Sequence, residues 1–394
     1  MRERKQITNL FLPSLVTSSF STQPPGLIIG LLLIDIGLTF GYPVGITGQM
    51  QTISSILSVI TALLMSIISI RYRNKTLLLV GLTFLAVAAL GCSVSISFSL
   101  LIAFYALTGI GKAMINPMSN ALIGENLPEG ERSSAIGWFQ AGTSIAYLVL
   151  SPTVGIISGM AGWRMTFLIL MLPITLLSLI MSYWGIPSQE SPVAVVEDVS
   201  PLVGFRKVFS SRSALWCLVG TVLAAASWMG SLTYMMSYYR QSFLFTTLNA
   251  SILLSGLALS KTFGHLTVSR FIKRVGRKSF TVYSLVLLGI FTTAYMNIEV
   301  LWLSIGAIIL SCVLGGYMDS SRTSLNLEQV PEYRGSMMSL SVAAYGLGGT
   351  LGTGLGGFVL LSFGYVGLGL SLGVLSLLSA LMYHYFTVDP TRKD

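Results

Sequence analysis

Ionisable side chains interrupt several apolar stretches that are each long enough to cross a membrane. Lys112 lies near the middle of residues 99–123, and Asp319 and Arg322 lie three residues apart within residues 301–326. An ionisable group inside a bilayer is energetically costly, so each of these is a candidate functional residue with a partner. We interpret Lys112 as a ligand for an anionic group; the alternatives are a structural ion pair or a side chain that snorkels toward the surface. The spacing of Asp319 and Arg322 permits an ion pair within one helix.

Three other ionisable residues in apolar stretches are weaker candidates. Lys261 and His265 are one helical turn apart, and we interpret them as residues packed at the inner end of their span, although histidine can titrate near neutral pH. Asp35 lies at the outer end of the first predicted span, where water reaches it. Only an alternative span over residues 27–46 would place Asp35 at mid-membrane.

Polar and aromatic side chains within the spans are candidates for contact with a solute. Gln23 lies in the polar stretch Ser18–Pro25, which interrupts the first span and frees backbone carbonyl groups. Asn116 precedes Pro117 in the fourth span. The aromatic candidates, which either line a cavity or mark the interfacial belt, are Trp228, Tyr234, Tyr238 and Tyr345.

The sequence lacks the residue patterns of an enzyme, a metal site or a nucleotide site. The three cysteines lie in apolar runs without paired or metal-ligand spacing. Gly111 and Lys112 are followed by Ala113, so the pattern of a phosphate-binding loop, G-x-x-x-x-G-K-[ST], is absent. No nucleophile and base are arranged for catalysis. We therefore predict no catalytic residues, no metal and no cofactor.

The composition of the chain indicates that most of its residues face lipid or the protein interior. The chain has 394 residues, of which 53% are hydrophobic and 9% charged, with a mean hydropathy of +0.78. A soluble domain carries roughly a quarter charged residues, and a membrane helix needs about 20 apolar residues. We predict an all-α membrane protein of twelve transmembrane helices. The predicted spans are Leu10–Ile34, Gly45–Ile70, Thr76–Ser95, Ser99–Ile123, Ser133–Ser158, Met165–Trp184, Ser213–Tyr238, Leu248–Ser269, Ser279–Asn297, Leu301–Asn326, Gly335–Leu361 and Val366–Tyr385.

The positions of the basic residues predict the orientation of these spans. Lys and Arg are retained on the cytoplasmic side of a membrane, and 18 of the 23 fall in segments that are inside if the N-terminus is inside. We therefore predict cytoplasmic termini and a prokaryotic inner or plasma membrane. Because the basic residues are scattered over short segments, they do not form a nucleic-acid-binding face. The five exceptions are Arg164 and Arg240 outside, and Lys112, Lys261 and Arg322 within spans.

The two halves of the chain repeat each other. The longest hydrophilic stretch divides the sequence into a six-helix bundle at 1–185, a cytoplasmic linker at 186–212 and a second six-helix bundle at 213–394. Two such halves, related by an axis along the membrane normal, are typical of secondary transporters with a site between the halves. The matched positions are Ser66/Ser269, Arg71/Arg274 and Lys75/Lys278 at an offset of 203, and Arg132/Arg334, Gly155/Gly357 and Gly162/Gly364 at 202.

A motif in a predicted cytoplasmic loop, taken together with this repeat, resembles the pattern of a known family. The run Lys273-Arg274-Val275-Gly276-Arg277-Lys278 is similar to the end of the motif G-x-x-x-D-R-x-G-R-K, and with the repeat it makes nearly the whole chain resemble the major facilitator superfamily. A partial form of the exporter-type Gly/Pro motif of the fifth helix is also present, with Ser151 where glycine is usual. The gating-loop candidates that the resemblance implies are Arg71, Lys75, Arg274, Gly276, Arg277 and Lys278.

The chain departs from the family pattern at three further positions. The loop aspartate is replaced by Ile70 in the first half and by Lys273 in the second, so the charge lock that the family builds around it is not expected here. The arginine expected four residues before Gly109 is Tyr105.

The resemblance implies which residues meet in a central cavity. In the family, the first, fourth, seventh and tenth helices line this cavity, so Asp319 is expected to meet either Lys112 or Arg322 and is the candidate proton-coupling acid. Burial opposes ionisation of a carboxyl group and a nearby cation favours it, which suits a residue that exchanges a proton. The substrate-binding candidates are Lys112, Arg322, Gln23, Asn116, Trp228, Tyr234 and Tyr345.

These features predict a secondary active transporter, not an enzyme, that moves a small organic solute of amphiphilic or anionic character by alternating access. The expected mode is proton-coupled efflux by an antiporter, and the alternative within transport is proton-coupled uptake of an organic anion. A sensor or lipid scramblase without coupled transport is the alternative from another class. The expected partners are the solute, protons and membrane lipid, with no nucleic acid and a monomeric state.

Overall fold

The computed structural model describes residues 9–187 and 201–390, which are almost entirely helical. Most of the predicted linker, residues 188–200, lies outside the described residues. In the described part of the chain the α-helices are α1 Phe11–Ser21, α2 Pro24–Phe40, α3 Val44–Thr47, α4 Gln49–Arg71, α5 Asn74–Val94, α6 Phe98–Asn126, α7 Glu129–Met165, α8 Leu172–Gly185, α9 Pro201–Ser210, α10 Arg212–Ser242, α11 Thr247–Val275, α12 Arg277–Asn297, α13 Leu301–Leu327 and α14 Arg334–Phe386.

The described helices account for the twelve predicted membrane crossings. Nine candidate spans are found among the described residues by length and apolar composition. Two of them, Ser134–Gly185 and Pro331–Phe386, are 52 and 56 residues long, and a non-helical glycine divides each into two crossings. Helix α11, with 29 residues, is less apolar but long enough to span. The prediction of an all-α protein with twelve spans is confirmed.

The first crossing is interrupted where the sequence predicts it. Helix α1 ends at Ser21 and α2 begins at Pro24, so the chain breaks within the predicted polar stretch. Helix α2 then continues to Phe40, and the chain turns at Gly41, where φ is +75°. The alternative span over residues 27–46 is therefore wrong, and Asp35 lies in the last turns of α2.

The internal repeat is visible in the helix boundaries. Helices α5 and α12 each have 21 residues, and they begin at Asn74 and Arg277, which are 203 positions apart. Helices α7 and α14 break at Gly162 and Gly364, which are 202 positions apart and have φ values of +82° and +64°. Because glycine adopts positive φ without a steric penalty, both halves use the same residue type to separate their last two crossings.

The described chain falls into two compact units. Unit 1 lies within Met1–Ile36, Ile53–Val195 and Thr247–Ser255, and unit 2 within Gly37–Thr52, Val196–Thr246 and Gly256–Asp394. Each unit therefore takes most of one sequence half together with a short segment of the other.

Small residues allow the helices of unit 2 to pack closely. Gly348 and Gly352 of α14 lie against the backbone carbonyl groups of Val222 and Ala226 of α10, where an added Cβ atom would overlap them. In a membrane, close packing of this kind contributes to helix association because lipid provides no hydrophobic drive between helices. The glycine-rich run of α14 is thus explained by helix packing.

Candidate functional site

Unit 2 contains an ion-pair cluster between α11 and α13. The Nζ atom of Lys261 lies 2.7 Å from one carboxylate oxygen of Asp319, and an Nη atom of Arg322 lies 3.6 Å from the other. The ion pair predicted between Asp319 and Arg322 is therefore present. Lys261 is the central residue of α11, and its pairing with Asp319 was not part of the sequence interpretation of it as a packed residue. We call Lys261, Asp319 and Arg322 the charge cluster.

Glycines bring the two helices of the charge cluster close together. An added Cβ atom on Gly316 of α13 would overlap the Lys261 carbonyl oxygen, and one on Gly264 of α11 would overlap the Val313 carbonyl oxygen. With the backbones this close, the lysine ammonium group reaches the carboxylate at the distance of a charge-assisted hydrogen bond.

The three charged side chains differ in their exposure. The side chains of Lys261 and Asp319 are 25% and 18% exposed, whereas that of Arg322 is 6% exposed. Arg322 is therefore the most enclosed member of the charge cluster. Because breaking a buried ion pair leaves an uncompensated charge, a change at any one of these side chains affects the other two.

Two of the predicted aromatic residues contact this cluster. The ammonium group of Lys261 lies 4.3 Å from the ring centroid of Trp228, and the Arg322 guanidinium lies 5.2 Å from that of Tyr345. Aromatic faces attract cations at these distances. Each cation of the charge cluster is thus held between the carboxylate and an aromatic ring.

Neighbouring polar groups surround the cluster. On α11, one turn beyond Lys261, the Nδ1 atom of His265 lies 2.8 Å from the Ser320 hydroxyl oxygen. On the other side, Nη1 of Arg322 donates a 3.3 Å hydrogen bond to the Thr221 hydroxyl oxygen. Sequence reasoning did not identify Thr221 as part of the site, because a single threonine in an apolar span carries no distinctive signal.

Lys112 is the candidate charge of unit 1. It is the central residue of α6 and is partly exposed. A Cβ atom added to Gly26 would lie 3.8 Å from its Nζ atom, so the ammonium group faces α2 just beyond the break in the first crossing. Within the described part of unit 1, no hydrogen bond or ion pair to Lys112 is found.

The remaining polar and aromatic candidates occupy different environments. Gln23 donates a 2.6 Å hydrogen bond to Thr22 at the break between α1 and α2. The side chain of Asn116 is exposed. Tyr234 is fully buried, and its hydroxyl group donates a 2.8 Å hydrogen bond to the Thr353 carbonyl oxygen. Because this ring is enclosed by helix packing, we leave Tyr234 out of the proposed site.

Some of the gating-loop candidates are exposed, and others form hydrogen bonds. Arg71 and Arg274 are exposed. The Nζ atom of Lys75 donates hydrogen bonds of 2.8 Å and 2.6 Å to the carbonyl oxygens of Tyr183 and Ile186, near the end of α8. A lysine in this position satisfies carbonyl groups at a helix C-terminus.

In unit 2, a cavity of about 310 Å³ lies beside the loop that precedes α12. Gly276, with φ of +91°, is the residue preceding α12. Lys278 lines the cavity together with Gly276 and His384. The loop motif thus has a defined place in the fold, next to polar groups of α14.

Equivalent contacts link the third and fourth crossings of each half. In unit 1, Asn74 donates a short hydrogen bond to Glu125. In unit 2, the residue in the position of Asn74 is Arg277, which lies 3.8 Å from Glu328, and Arg334 lies 2.8 Å from the same carboxylate. Neither contact contains the loop aspartate of the family motif. In each half, the carboxylate belongs instead to a glutamate at the end of the fourth crossing.

The sequence profile described as Major Facilitator Superfamily matches residues 14–260 and 238–394. The chain belongs to the Major Facilitator Superfamily. The uncharacterized MFS-type transporter YceJ of Bacillus subtilis is 24% identical over 329 residues, which cover 83% of each chain. The methylenomycin A resistance protein of Bacillus subtilis is 33% identical over 131 residues, 32% of this chain and 28% of that protein.

The solved structure of a D-xylose–proton symporter has the same fold. It superimposes with a TM-score of 0.83 at 14% identity, covering 98% of this chain and 100% of the other. As a Major Facilitator Superfamily protein, the chain is an integral protein of a bacterial membrane, a secondary transporter of small molecules and not an enzyme.

Proposed function

We propose that this Major Facilitator Superfamily protein couples solute movement to protons through Asp319. The observation that carries the proposal is the double ion pair of Asp319 with Lys261 and Arg322 on two long helices of unit 2, α11 and α13. A proton on Asp319 removes the only negative charge of the cluster and leaves two cations without a counter-ion. Protonation therefore changes the binding properties of the site, which is the requirement for coupling.

The charge balance of the cluster favours an organic anion as the solute. When Asp319 is protonated, Lys261 and Arg322 can bind a carboxylate or another anionic group that replaces it. Lys112 of unit 1 is a separate candidate for binding an anionic group, apart from this cluster. In this scheme the proton and the anion are bound together, so an inward proton gradient drives uptake of the anion, with one proton on Asp319 for each anion bound.

Proton-coupled efflux is the second candidate. It is supported by the similarity of part of the chain to a methylenomycin A resistance protein. Antiport requires the proton and the solute to exclude each other, so an exported solute would carry a cationic group that pairs with ionised Asp319. An amphiphilic amine that displaces Lys261 from Asp319 and Trp228 meets that requirement.

The orientation and the assembly complete the proposal. Because most basic residues fall in the segments that an N-inside arrangement places in the cytoplasm, we assign both termini to the cytoplasmic side. The two sequence halves, 1–185 and 213–394, act as the two bundles of an alternating-access transporter, joined by the cytoplasmic linker 186–212. A monomer contains both bundles and needs no partner chain.

Proton flux into liposomes tests this function and separates its two forms. Purified protein is reconstituted with a pH-sensitive dye inside, and aromatic carboxylates or lipophilic amines are added outside. Uptake of an anion with a proton acidifies the interior, whereas exchange of an amine for a proton makes it more alkaline. Either signal must disappear in Asp319→Asn and persist in Asp35→Asn, which removes an acid near the end of α2. Flux that survives Asp319→Asn contradicts the assignment, and no flux with either class supports a sensor or scramblase.

A further inference from the structure

A buried hydrogen-bond network anchors Arg322 on the side away from Asp319. The Thr221 hydroxyl oxygen accepts hydrogen bonds from Arg322, at 3.3 Å, and from the side-chain amide of Asn326, at 3.0 Å. It donates its own proton to the Cys217 carbonyl oxygen at 2.8 Å. The Tyr383 hydroxyl oxygen lies 3.1 Å from the Thr221 hydroxyl oxygen. Thr221 is therefore held in place by three helices, α10, α13 and α14.

The members of this network are shielded from solvent. Thr221, Asn326 and Tyr383 are fully buried, and Arg322 is 5% exposed. Polar groups without access to water must satisfy one another, and a satisfied buried network fixes the geometry of its members. The position of the Arg322 guanidinium is thus set by a few defined contacts and not by solvent.

The contact between Arg322 and Asp319 is incomplete. Their closest atoms are 3.6 Å apart, longer than the 2.7–2.9 Å expected for a charge-assisted hydrogen bond. Among the described residues, Oδ1 of Asp319 and Nε of Arg322 are both buried without a hydrogen-bond partner. Two unsatisfied groups of opposite charge lie next to each other, yet the guanidinium does not close onto the carboxylate.

We infer that Thr221 is a positioning residue that holds Arg322 back from Asp319 and so keeps the carboxylate ready to accept a proton. The inference rests on the proposed function, because it matters only if Asp319 exchanges a proton. The charged and titratable groups that face Asp319 are Lys261 and His265 of α11 and Arg322 of α13 itself. Of these, only the arginine is restrained by the network.

Loss of the Thr221 hydroxyl has a defined direction of effect. Without its acceptor, Arg322 can move toward Oδ1 of Asp319 and complete the ion pair. The closer cation stabilises the ionised carboxylate, so a lower pH is needed to protonate it. A purely structural role would instead reduce the amount or thermal stability of the protein and leave the protonation midpoint unchanged.

Infrared difference spectroscopy during a pH titration tests the inference without any solute. The carboxyl band that is present in the wild type and absent in Asp319→Asn reports protonation of Asp319. We expect its midpoint to fall by about 0.5–1 pH unit in Thr221→Val and to return in Thr221→Ser, which keeps the hydroxyl group. Tyr383→Phe, a milder change at the edge of the network, should shift it in the same direction.

Thr292→Val is the matched control, because it also removes a buried hydroxyl of unit 2, one that lies 3.2 Å from Ser311 instead of near Arg322. It should leave the midpoint unchanged. An unchanged or raised midpoint in both Thr221→Val and Tyr383→Phe, with the Asp319 band still present, overturns the inference alone. Absence of any band that depends on Asp319 overturns the proposed proton site and the inference together.

Discussion

Lys261 and Asp319, from two different helices of unit 2, are joined by an ion pair of 2.7 Å. The lysine is the central residue of α11 and the aspartate lies on α13, so the pair crosses between neighbouring helices. Its carboxylate is also near Arg322, which gives the cluster one negative and two positive charges. This imbalance is the physical basis for assigning an anionic solute and a proton to the same site.

Replacement of Lys261 tests its predicted role in binding an anion. Lys261→Met keeps the length and apolar body of the side chain but removes the charge that a bound carboxylate would share with Arg322. A hydrogen bond to a charged group contributes about 1.5–3 kcal/mol, so we expect the affinity for a transported carboxylate to fall by about 10- to 100-fold. Equilibrium binding to the purified protein measures this change.

Lys273→Met is the control for Lys261→Met, because Lys273 is an exposed basic residue near the end of the same helix. It should bind the carboxylate as the wild type does. An equal loss in both variants would indicate a general effect of charge, and unchanged binding in Lys261→Met would remove Lys261 from the site.

The contacts at the end of the fourth crossing in each half should differ in their response to salt. Glu328 pairs with Arg277 and Arg334, whereas its counterpart Glu125 accepts a hydrogen bond from the neutral amide of Asn74. Salt screens exposed ion pairs but not a hydrogen bond to an amide. We expect the melting temperature of Glu328→Gln to depend less on salt concentration than that of the wild type.

Glu125→Gln should retain the salt dependence of the wild type, because it removes no ion pair to a basic residue. Thermal unfolding in detergent at low and high salt compares the two variants. The same salt dependence in the wild type and in Glu328→Gln would show that the pairs at Glu328 contribute no measurable stability, as many exposed pairs do.

Replacement of Gly364 by a residue with a side chain should destabilise the protein because of the backbone conformation alone. Its φ is +64°, and no heavy atom lies within 4 Å of the position that a Cβ would take. With ψ of −166°, this conformation is nearly restricted to glycine and costs a residue with a side chain about 1–3 kcal/mol. We expect Gly364→Ala to lower the melting temperature and to loosen the turn between the last two crossings.

Gly306→Ala is the comparison for Gly364→Ala, because it is also in open space but lies within α13. Alanine is favoured over glycine in a helix interior by up to about 1 kcal/mol. The melting temperature should therefore stay constant or rise. Equal melting temperatures for both variants would mean that the chain adjusts its conformation at Gly364.

The sequence was sufficient to predict the crossings and the repeat because both depend on local properties. Hydropathy marks the helices, and a nearly constant offset relates Lys75 to Lys278 and Gly162 to Gly364. The rotation of a helix about its axis is not a local property. The pairing of Lys261 with Asp319 was therefore not predicted, although a cation within a membrane span requires a counter-ion.

Side-chain contacts were equally difficult to predict. Tyr234 and Trp228 lie on the same helix and have similar sequence surroundings, yet Tyr234 packs against α14 and Trp228 contacts Lys261. The role of Thr221 depends on three helices that meet at one hydroxyl group. Contacts of this kind follow from tertiary packing, which no periodicity in the sequence describes.

The role of Asp319 as the proton site is tested by the change of internal pH when an aromatic carboxylate is added outside liposomes that contain the purified protein. We expect acidification of the interior by the wild type and by Asp35→Asn, and no pH change with Asp319→Asn. Carboxylate uptake with equal acidification in Asp319→Asn and the wild type would contradict Asp319 as the proton site. Alkalinisation of the interior on addition of an amine, with no response to the carboxylate, would contradict the cotransport of an anion.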